Sequence, residues 1–487
     1  MAYRDQDKSV QEANKDNDYL LEKWEGGKVV EKQKTKLGAR ILSKEELNAI
    51  LPNAESIYEQ IGVFRDSIPV NNHGQSIKTY EIEQKTNNIG IMGCRGAGKT
   101  SILKTFFHKL CTENEKDIIL PIIIPENMSS GTTLMDVILG RLKSIVEEQK
   151  RTEEDEKYSQ DCIYSGRNLL EQKYNELVKQ YCYIKKDYRD ILIQQFTTEQ
   201  NYVDKTKEVF SSDAEFLRLF NEFMISLLTN GRNADRNSML FLFIDDIDLS
   251  VNRCMDIVRT LLVYLSNPRI VTFISGDIET FEEELTLEFL RQEEALKEGV
   301  FQKSFYENSD PSGKSSLIER KKTLSYEYLK KIIPPVYRRT IRYWGLEQRG
   351  NYQVTEDGGG EQKSLAELLV EATKGKLKKQ YFIYREDDVQ KYMGLVFHMF
   401  DDTSRGLNNV YNVLQEICDL QKKEEKLTEE NQILLFWRLV ETIVDSKPLY
   451  TKYKSELMRQ IIVLGQGQVI VNFSNAYQFL LYEGPSE

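Results

Sequence analysis

The stretch Gly93-Cys94-Arg95-Gly96-Ala97-Gly98-Lys99-Thr100, followed by Ser101, constrains this chain more than any other. It satisfies the spacing GxxxxGK[ST] in full. Before it, Asn88 to Met92 reads as a short apolar strand; after it, Ile102, Leu103, Phe106, Phe107 and Leu110 recur at helical spacing. Glycines let the backbone curl without side chains in the way, so that successive N–H groups face an anion. The helix that starts at Lys99 adds the positive end of its dipole. Lys99 is placed to reach the outer phosphates of a nucleotide, and the Thr100 hydroxyl to ligate magnesium. Gly93, Cys94, Arg95, Gly96, Ala97, Gly98, Lys99, Thr100 and Ser101 are therefore expected to cradle a Mg-nucleotide.

Such a loop needs an acidic partner. Met239-Leu-Phe-Leu-Phe-Ile-Asp245-Asp246-Ile-Asp248 is an apolar strand that ends in carboxylates. Asp245 is read as the magnesium residue and Asp246 as the group that polarises the attacking water. Two adjacent carboxylates repel unless a cation sits beside them, which supports the metal reading. Asp248 is read as a cap for the following helix, with no catalytic role. A further strand, Val271 to Asp277, ends in polar residues. Ser275 and Asp277 would lie near the terminal phosphate if that strand neighboured the acidic one, but they equally suit a plain turn.

Around these motifs strands and helices alternate, the pattern of a mainly parallel α/β sheet with helices on both faces. Residues 1–42 read as a polar, mobile N-terminus and 43–84 as a mixed helical segment that opens with the capping pattern Ser43…Glu46. Residues 85–345 form the core, interrupted by a helical insertion at about 149–237; 346–384 is polar and variable, and 385–487 is mainly helical, with an extended piece at Gln468 to Phe473. Within the insertion, Leu170, Tyr174, Leu177, Tyr181, Ile184, Tyr188 and Ile191 form a heptad seam. It suits either a hairpin packed on the core or a coiled coil for a partner.

Composition removes other classes. The 66 Lys and Arg against 77 Asp and Glu give a net charge of −11. A broad positive field for nucleic acid is therefore not expected, although a local groove remains open. The six cysteines are scattered and the three histidines show no ligand spacing, which argues against zinc and for reduced thiols. No apolar run is long enough to span a bilayer, so no membrane association and a cytoplasmic location are expected.

Phe243-Ile-Asp-Asp-Ile-Asp-Leu-Ser-Val-Asn-Arg-Cys254, the later Ile-Val-Thr-Phe-Ile-Ser-Gly-Asp277 and Tyr328-Leu-Lys-Lys-Ile-Ile-Pro-Pro335 resemble the KAP group of P-loop ATPases, close to the STAND and AAA+ classes. The resemblance covers about 85–345 and the segment near 400. It implies a P-loop NTPase of the additional-strand type, with one strand between the loop strand and the acidic strand, and a helical lid. Thr403-Ser-Arg405-Gly-Leu-Asn-Asn-Val resembles the start of a lid helix, which implies that Arg405 contacts the γ-phosphate. It also implies ATP and Mg2+ as cofactors, hydrolysis coupled to switching, a protein partner, and nucleotide-dependent self-association. In related classes a neighbouring subunit supplies an arginine; Arg338 and Arg339 are the candidates, or they simply cover acidic surface. Some bacterial members of the broader class act in defence against phage. Two departures stand out: Asp246 replaces the Glu of many AAA+ proteins, and the membrane helices of many KAP members are lacking. A nucleic-acid-remodelling ATPase and a non-hydrolysing nucleotide-binding scaffold remain the competing readings.

Overall fold

Strands that are mainly apolar and buried at every position belong in a sheet covered on both faces. Strand β1 (Asn88–Met92), strand β3 (Leu240–Ile244) and strand β4 (Ile270–Gly276) are buried throughout. With β2 (Ile118–Ile119) and β5 (Arg338–Thr340) they form a sheet of order β2-β3-β4-β1-β5, and every pair is parallel. One strand, β4, thus separates the strand that leads into Gly93 from the strand that ends at Asp245. The computed structural model describes residues 39–69, 85–113, 116–156, 164–185, 199–229, 237–249, 253–292, 317–345, 349–354, 363–372, 400–422, 429–452, 454–455, 462–465 and 468–471. All lie in Ala39–Glu487, the larger of the chain's two units.

Alternation along the strands divides the interior in two. Ile89, Ile91, Phe241, Phe243, Val271 and Phe273 face helices α1 (Lys44–Ile50), α2 (Glu55–Asp66) and α3 (Lys99–Glu113). Leu240, Leu242, Ile244, Ile270 and Ile274 face the opposite layer. That layer holds α4 (Leu134–Glu156), α5 (Tyr164–Ile184), α7 (Ser212–Thr229), α8 (Cys254–Arg259), α9 (Ile278–Arg291) and α10 (Leu317–Ile332), with α6 (Glu199–Phe210) against α5 and α7. The heptad seam turns inward: Tyr174, Leu177 and Tyr181 are buried in this core, with Leu170 and Ile184 packed on it. Tyr188 and Ile191 lie outside the described residues. The insertion is part of the core in its described portion.

Other expectations need adjustment. The apolar run from Ile118 to Ile124 reads as one buried strand, but it is regular only over Ile118–Ile119 and returns as a single bridge from Ile123 to Ile244. Pro121 between them has no N–H for the ladder. The helix expected after the acids breaks into α8 and a π turn, Thr260–Tyr264. Ser43 and Glu46 do form the capping box at α1, each side chain meeting the other residue's N–H.

A separate helical core joins α11 (Leu365–Ala372), α12 (Ser404–Lys422), α13 (Glu429–Ser446) and α14 (Pro448–Lys452) with Tyr352 and Phe400. α11 falls in the segment read as polar and variable. Its Leu365, Leu368, Leu369 and Ala372 lie on one helical face and bury there. Near the C-terminus, β6 (Ile462–Gly465) pairs antiparallel with β7 (Gln468–Val471), so the single extended piece expected there is half of a hairpin. No helix among the described residues is long and apolar enough to cross a membrane.

The sheet's lower edge is clamped by charge. Asp117, with its side chain 1% exposed, accepts two bonds from Arg65 at 3.0 and 2.5 Å and one from the Met239 N–H at 2.9 Å. It thereby joins α2 to the starts of β2 and β3. Arg65 is 27% exposed and keeps a bond to Asn237 O at 2.8 Å, so loss of the carboxylate costs less than a fully buried pair, about 2 kcal/mol. Asp117→Ala should lower unfolding free energy by about that amount in urea titration, and Asp117→Asn by less, because its amide oxygen still meets Met239. Equal losses would show that the charge contributes nothing.

Candidate active site

The helix that follows the glycine loop is aimed by aromatic packing. Phe243 of β3 and Phe273 of β4 stack with ring centres 4.8 Å apart, and α3 places Phe106 and Phe107 on them at 5.6 Å each. This contact fixes the start of α3 relative to the strand that carries the acids. After β1 the chain runs into α3 on one face of the sheet, whereas after β4 it runs into α9 on the other. Adjacent strands whose connections part in this way open a crevice at their carboxyl ends. Gly93 to Gly98 and Ser275 to Asp277 border that crevice.

In the loop, Gly96 and Gly98 have φ of +89° and +107°, a region that side chains disfavour. Lys99 is 5% exposed. Its ammonium donates to Gly93 O at 2.9 Å and Cys94 O at 3.3 Å, and the Asp246 carboxylate stands 3.8 Å away, beyond hydrogen-bond range. An ammonium has three donors, so one N–H of Lys99 has no hydrogen-bond partner among the described residues. Thr100 follows in the first turn of α3, Arg95 is exposed on the loop, and Ser101 accepts from the Arg40 N–H at 3.3 Å. The neighbouring Cys94 thiol, with partial desolvation, pushes the phenol of the exposed Tyr343 up to about 12.

Ser275 binds both acids. Its hydroxyl donates to Asp245 in a short hydrogen bond and accepts from the Asp246 N–H at 3.2 Å. Asp245 is buried and its own N–H donates to Ile123 O at 2.8 Å. Asp246 has φ of +52°, the one positive φ outside glycine among the described residues. Short polar side chains tolerate that conformation better than long ones, a local reason for Asp in place of Glu. Asp277 caps α9 by accepting from the Glu279 N–H at 3.1 Å, in line with the plain-turn reading of that residue. Asp248 lies in a short 3-10 turn, Ile247–Leu249, with one carboxylate oxygen that has no partner among the described residues.

The start of α12 sits over the loop. Arg405 N–H donates to Gly96 O at 3.1 Å, and the Ser404 hydroxyl donates to Ala97 O at 3.2 Å. The Arg405 guanidinium is close enough to Asp246 to act on its carboxyl. Arg338 and Arg339 lie elsewhere, on β5 beside Gly90 and Ile91. Arg338 donates to Ile333 O at 2.8 Å; Arg339 donates to Ser56 at 3.2 Å and to Val336 O at 2.8 Å. Neither guanidinium is hydrogen-bonded to the loop among the described residues. The residues that sequence reasoning passed over are Ser404 and Trp344, whose indole N–H donates to Ser404 at 3.0 Å. Ser404 stood inside the Thr403-Ser-Arg405 resemblance, but only proximity to Ala97 gives it a role.

These groups suit a polyanion with a hard cation. The loop and Lys99 offer donors, while Thr100 and Asp245 offer oxygen ligands of the kind magnesium prefers. No metal-binding cluster of three or more His, Cys, Asp or Glu occurs among the described residues. No family profile matches this sequence, and no curated protein matches it.

Burial and the Asp245 charge hold the Asp246 carboxyl above its ordinary pKa, against the pull of Lys99 and Arg405. The folded protein therefore binds this proton more readily than the unfolded chain. The cost to stability is absent below the ordinary carboxylate pKa, grows as pH rises through the folded value and is complete above it. Asp246→Asn removes the cost and keeps a residue that tolerates positive φ. In metal-free, nucleotide-free protein it should raise the thermal midpoint at neutral pH and change it little near about pH 4. Equal shifts at both pH values would show that ionisation is not the cause.

Proposed function

We propose that this chain is a magnesium-dependent ATPase, similar to KAP-type P-loop NTPases, that works as a nucleotide-operated switch through a protein partner or self-association. The observation that carries the reading is the buried Lys99 ammonium, which donates to two loop carbonyls, pairs with the Asp246 carboxylate at 3.8 Å and keeps one hydrogen-bond donor without a partner among the described residues. A buried donor left without an acceptor is costly, and a phosphate oxygen would accept from it.

Bound ATP would supply the transferable phosphoryl group and Mg2+ the charge that offsets it. Lys99 would donate to the outer phosphate oxygens, and Thr100 and Asp245 would hold the metal. Asp246 would orient the attacking water, and Arg405 would add positive charge from the α12 side. ATP rather than GTP rests on the resemblance and on the absence from the sequence of an NKxD-type guanine reader. A role in phage defence rests on the resemblance alone. The net charge of −11 weighs against nucleic acid as the main partner.

The test is phosphate release and Mg-ATP affinity in the purified full chain. Lys99→Ala should lose most of both, and Asp245→Asn should weaken magnesium-dependent binding. Asp246→Asn should still bind, but turn over at least about 100-fold more slowly. Binding without phosphate release in the unaltered protein would replace the ATPase by a scaffold. Wild-type turnover in a folded Lys99→Ala variant would refute the site.

A further inference from the structure

We infer that Ser404, oriented by Trp344, is a positioning residue for the phosphate loop, so that the C-terminal helical unit governs how well the loop holds its anion. The inference rests on the nucleotide-binding reading above, and Ser404 is given no contact with the nucleotide.

Three consecutive residues of one segment lie across three of the other. A Cβ added to Gly96 would be 3.2 Å from the Thr403 hydroxyl and 3.3 Å from Arg405 Cβ, and one added to Gly98 would be 3.7 Å from the Ser404 hydroxyl. Over this approach, Arg405 N–H holds Gly96 O and Ser404 Oγ holds Ala97 O. A trans peptide plane points its N–H opposite to its carbonyl. Holding the carbonyls of Gly96 and Ala97 toward α12 therefore sets the directions of the next two N–H groups. The Ala97 N–H bonds to Cys94 O at 3.3 Å. The Gly98 N–H has no partner among the described residues and is left to meet an anion.

The direction of the Ser404 proton is itself determined. A serine hydroxyl has one proton and rotates to suit its neighbours. The Trp344 indole N–H donates to the Ser404 oxygen at 3.0 Å, so that oxygen serves as acceptor on one side and donor toward Ala97 on the other. Bonds in such a chain polarise one another. Trp344 is fixed in turn: its backbone N–H donates to Asp402 O at 3.1 Å and its ring meets Tyr352 edge-on at 5.1 Å. It lies just beyond β5, where the Ile341 N–H still pairs with Met92 O at 2.8 Å.

At the other end, the segment 401–406 is stiff enough to transmit this. The Thr403 hydroxyl donates to the Asp401 carboxylate at 2.7 Å and accepts from the Gly406 N–H at 3.1 Å. A displacement of α12 would release both loop carbonyls together. By linkage, an anion that stabilises the held loop also stabilises this posture of the helical unit. Arg405 would sense the phosphate directly, whereas Ser404 would act through the backbone of the loop.

The experiment uses the full chain with Ser404→Ala, Ser404→Thr and Trp344→Phe, the last of which keeps an aromatic ring and loses only the indole N–H. Affinity for a fluorescent ATP analogue with Mg2+, turnover at saturation, and hydrogen exchange of a peptide spanning 94–100 in nucleotide-free protein are measured. Ser404→Ala should weaken affinity on the order of tenfold, with turnover at saturation within about twofold. Loop exchange should be faster than in the unaltered protein. Trp344→Phe should shift affinity and exchange in the same direction, and Ser404→Thr should restore them. If the unaltered protein binds the analogue and Ser404→Ala and Trp344→Phe bind it equally well with unchanged exchange, the inference is wrong. If the unaltered protein binds no nucleotide, the functional reading fails instead, and the exchange measurement alone decides whether Ser404 orders the loop.

Discussion

A strand covered on both faces leaves room for charged groups only beyond its end, and that constraint organises the site. β1, β3 and β4 are buried at every position. Their glycines, carboxylates and hydroxyl therefore emerge together on the carboxyl edge of the sheet. The aromatic stack of Phe243 and Phe273, with Phe106 and Phe107 laid on it, then brings the start of α3 to the same edge. Hydrophobic packing below the site is what sets distances within it.

At that edge, charge is balanced through contacts rather than solvent. Asp245 is buried against the Ser275 hydroxyl; Asp246, with its side chain 30% exposed, is raised in pKa by burial and by Asp245, and faces Lys99 and Arg405. The strained φ of Asp246 is stored where the two acids part, held by the Ser275 bond to its N–H. Strain of this kind persists only when the surroundings determine it. Here the neighbouring strand does so.

The C-terminal helical unit is a second core, yet the start of its helix α12 lies on the glycine loop. Trp344 packs on that core and on the sheet's α3-side core, which makes the β5–α12 contact the mechanical junction of the two. Nucleotide-linked switching, as proposed, needs such a junction: two packed bodies that share a few hydrogen bonds at the site they both border.

Much of this was legible from residue order. The loop, its flanking strand and helix, the acidic strand and the capping box at Ser43 follow from short-range chemistry: glycine freedom, apolar periodicity and carboxylates at a strand end. The heptad seam was visible too, but not its destination. Whether Tyr174 and Tyr181 meet a partner or the chain's own core depends on what lies across from them. Pro121 could have warned that the strand after Ile119 would break, since it lacks a donor. What only the tertiary structure decided is contact across long sequence separation: Arg65 on Asp117, Ser275 on both acids, and Ser404 on Ala97. The sequence by itself determined the glycine loop that leads into Lys99 and Thr100, because that chemistry sits within one turn of backbone. Which groups hold that turn in shape was settled by tertiary packing, because a hydroxyl distant in sequence acts on the loop only when two cores bring it within hydrogen-bond reach.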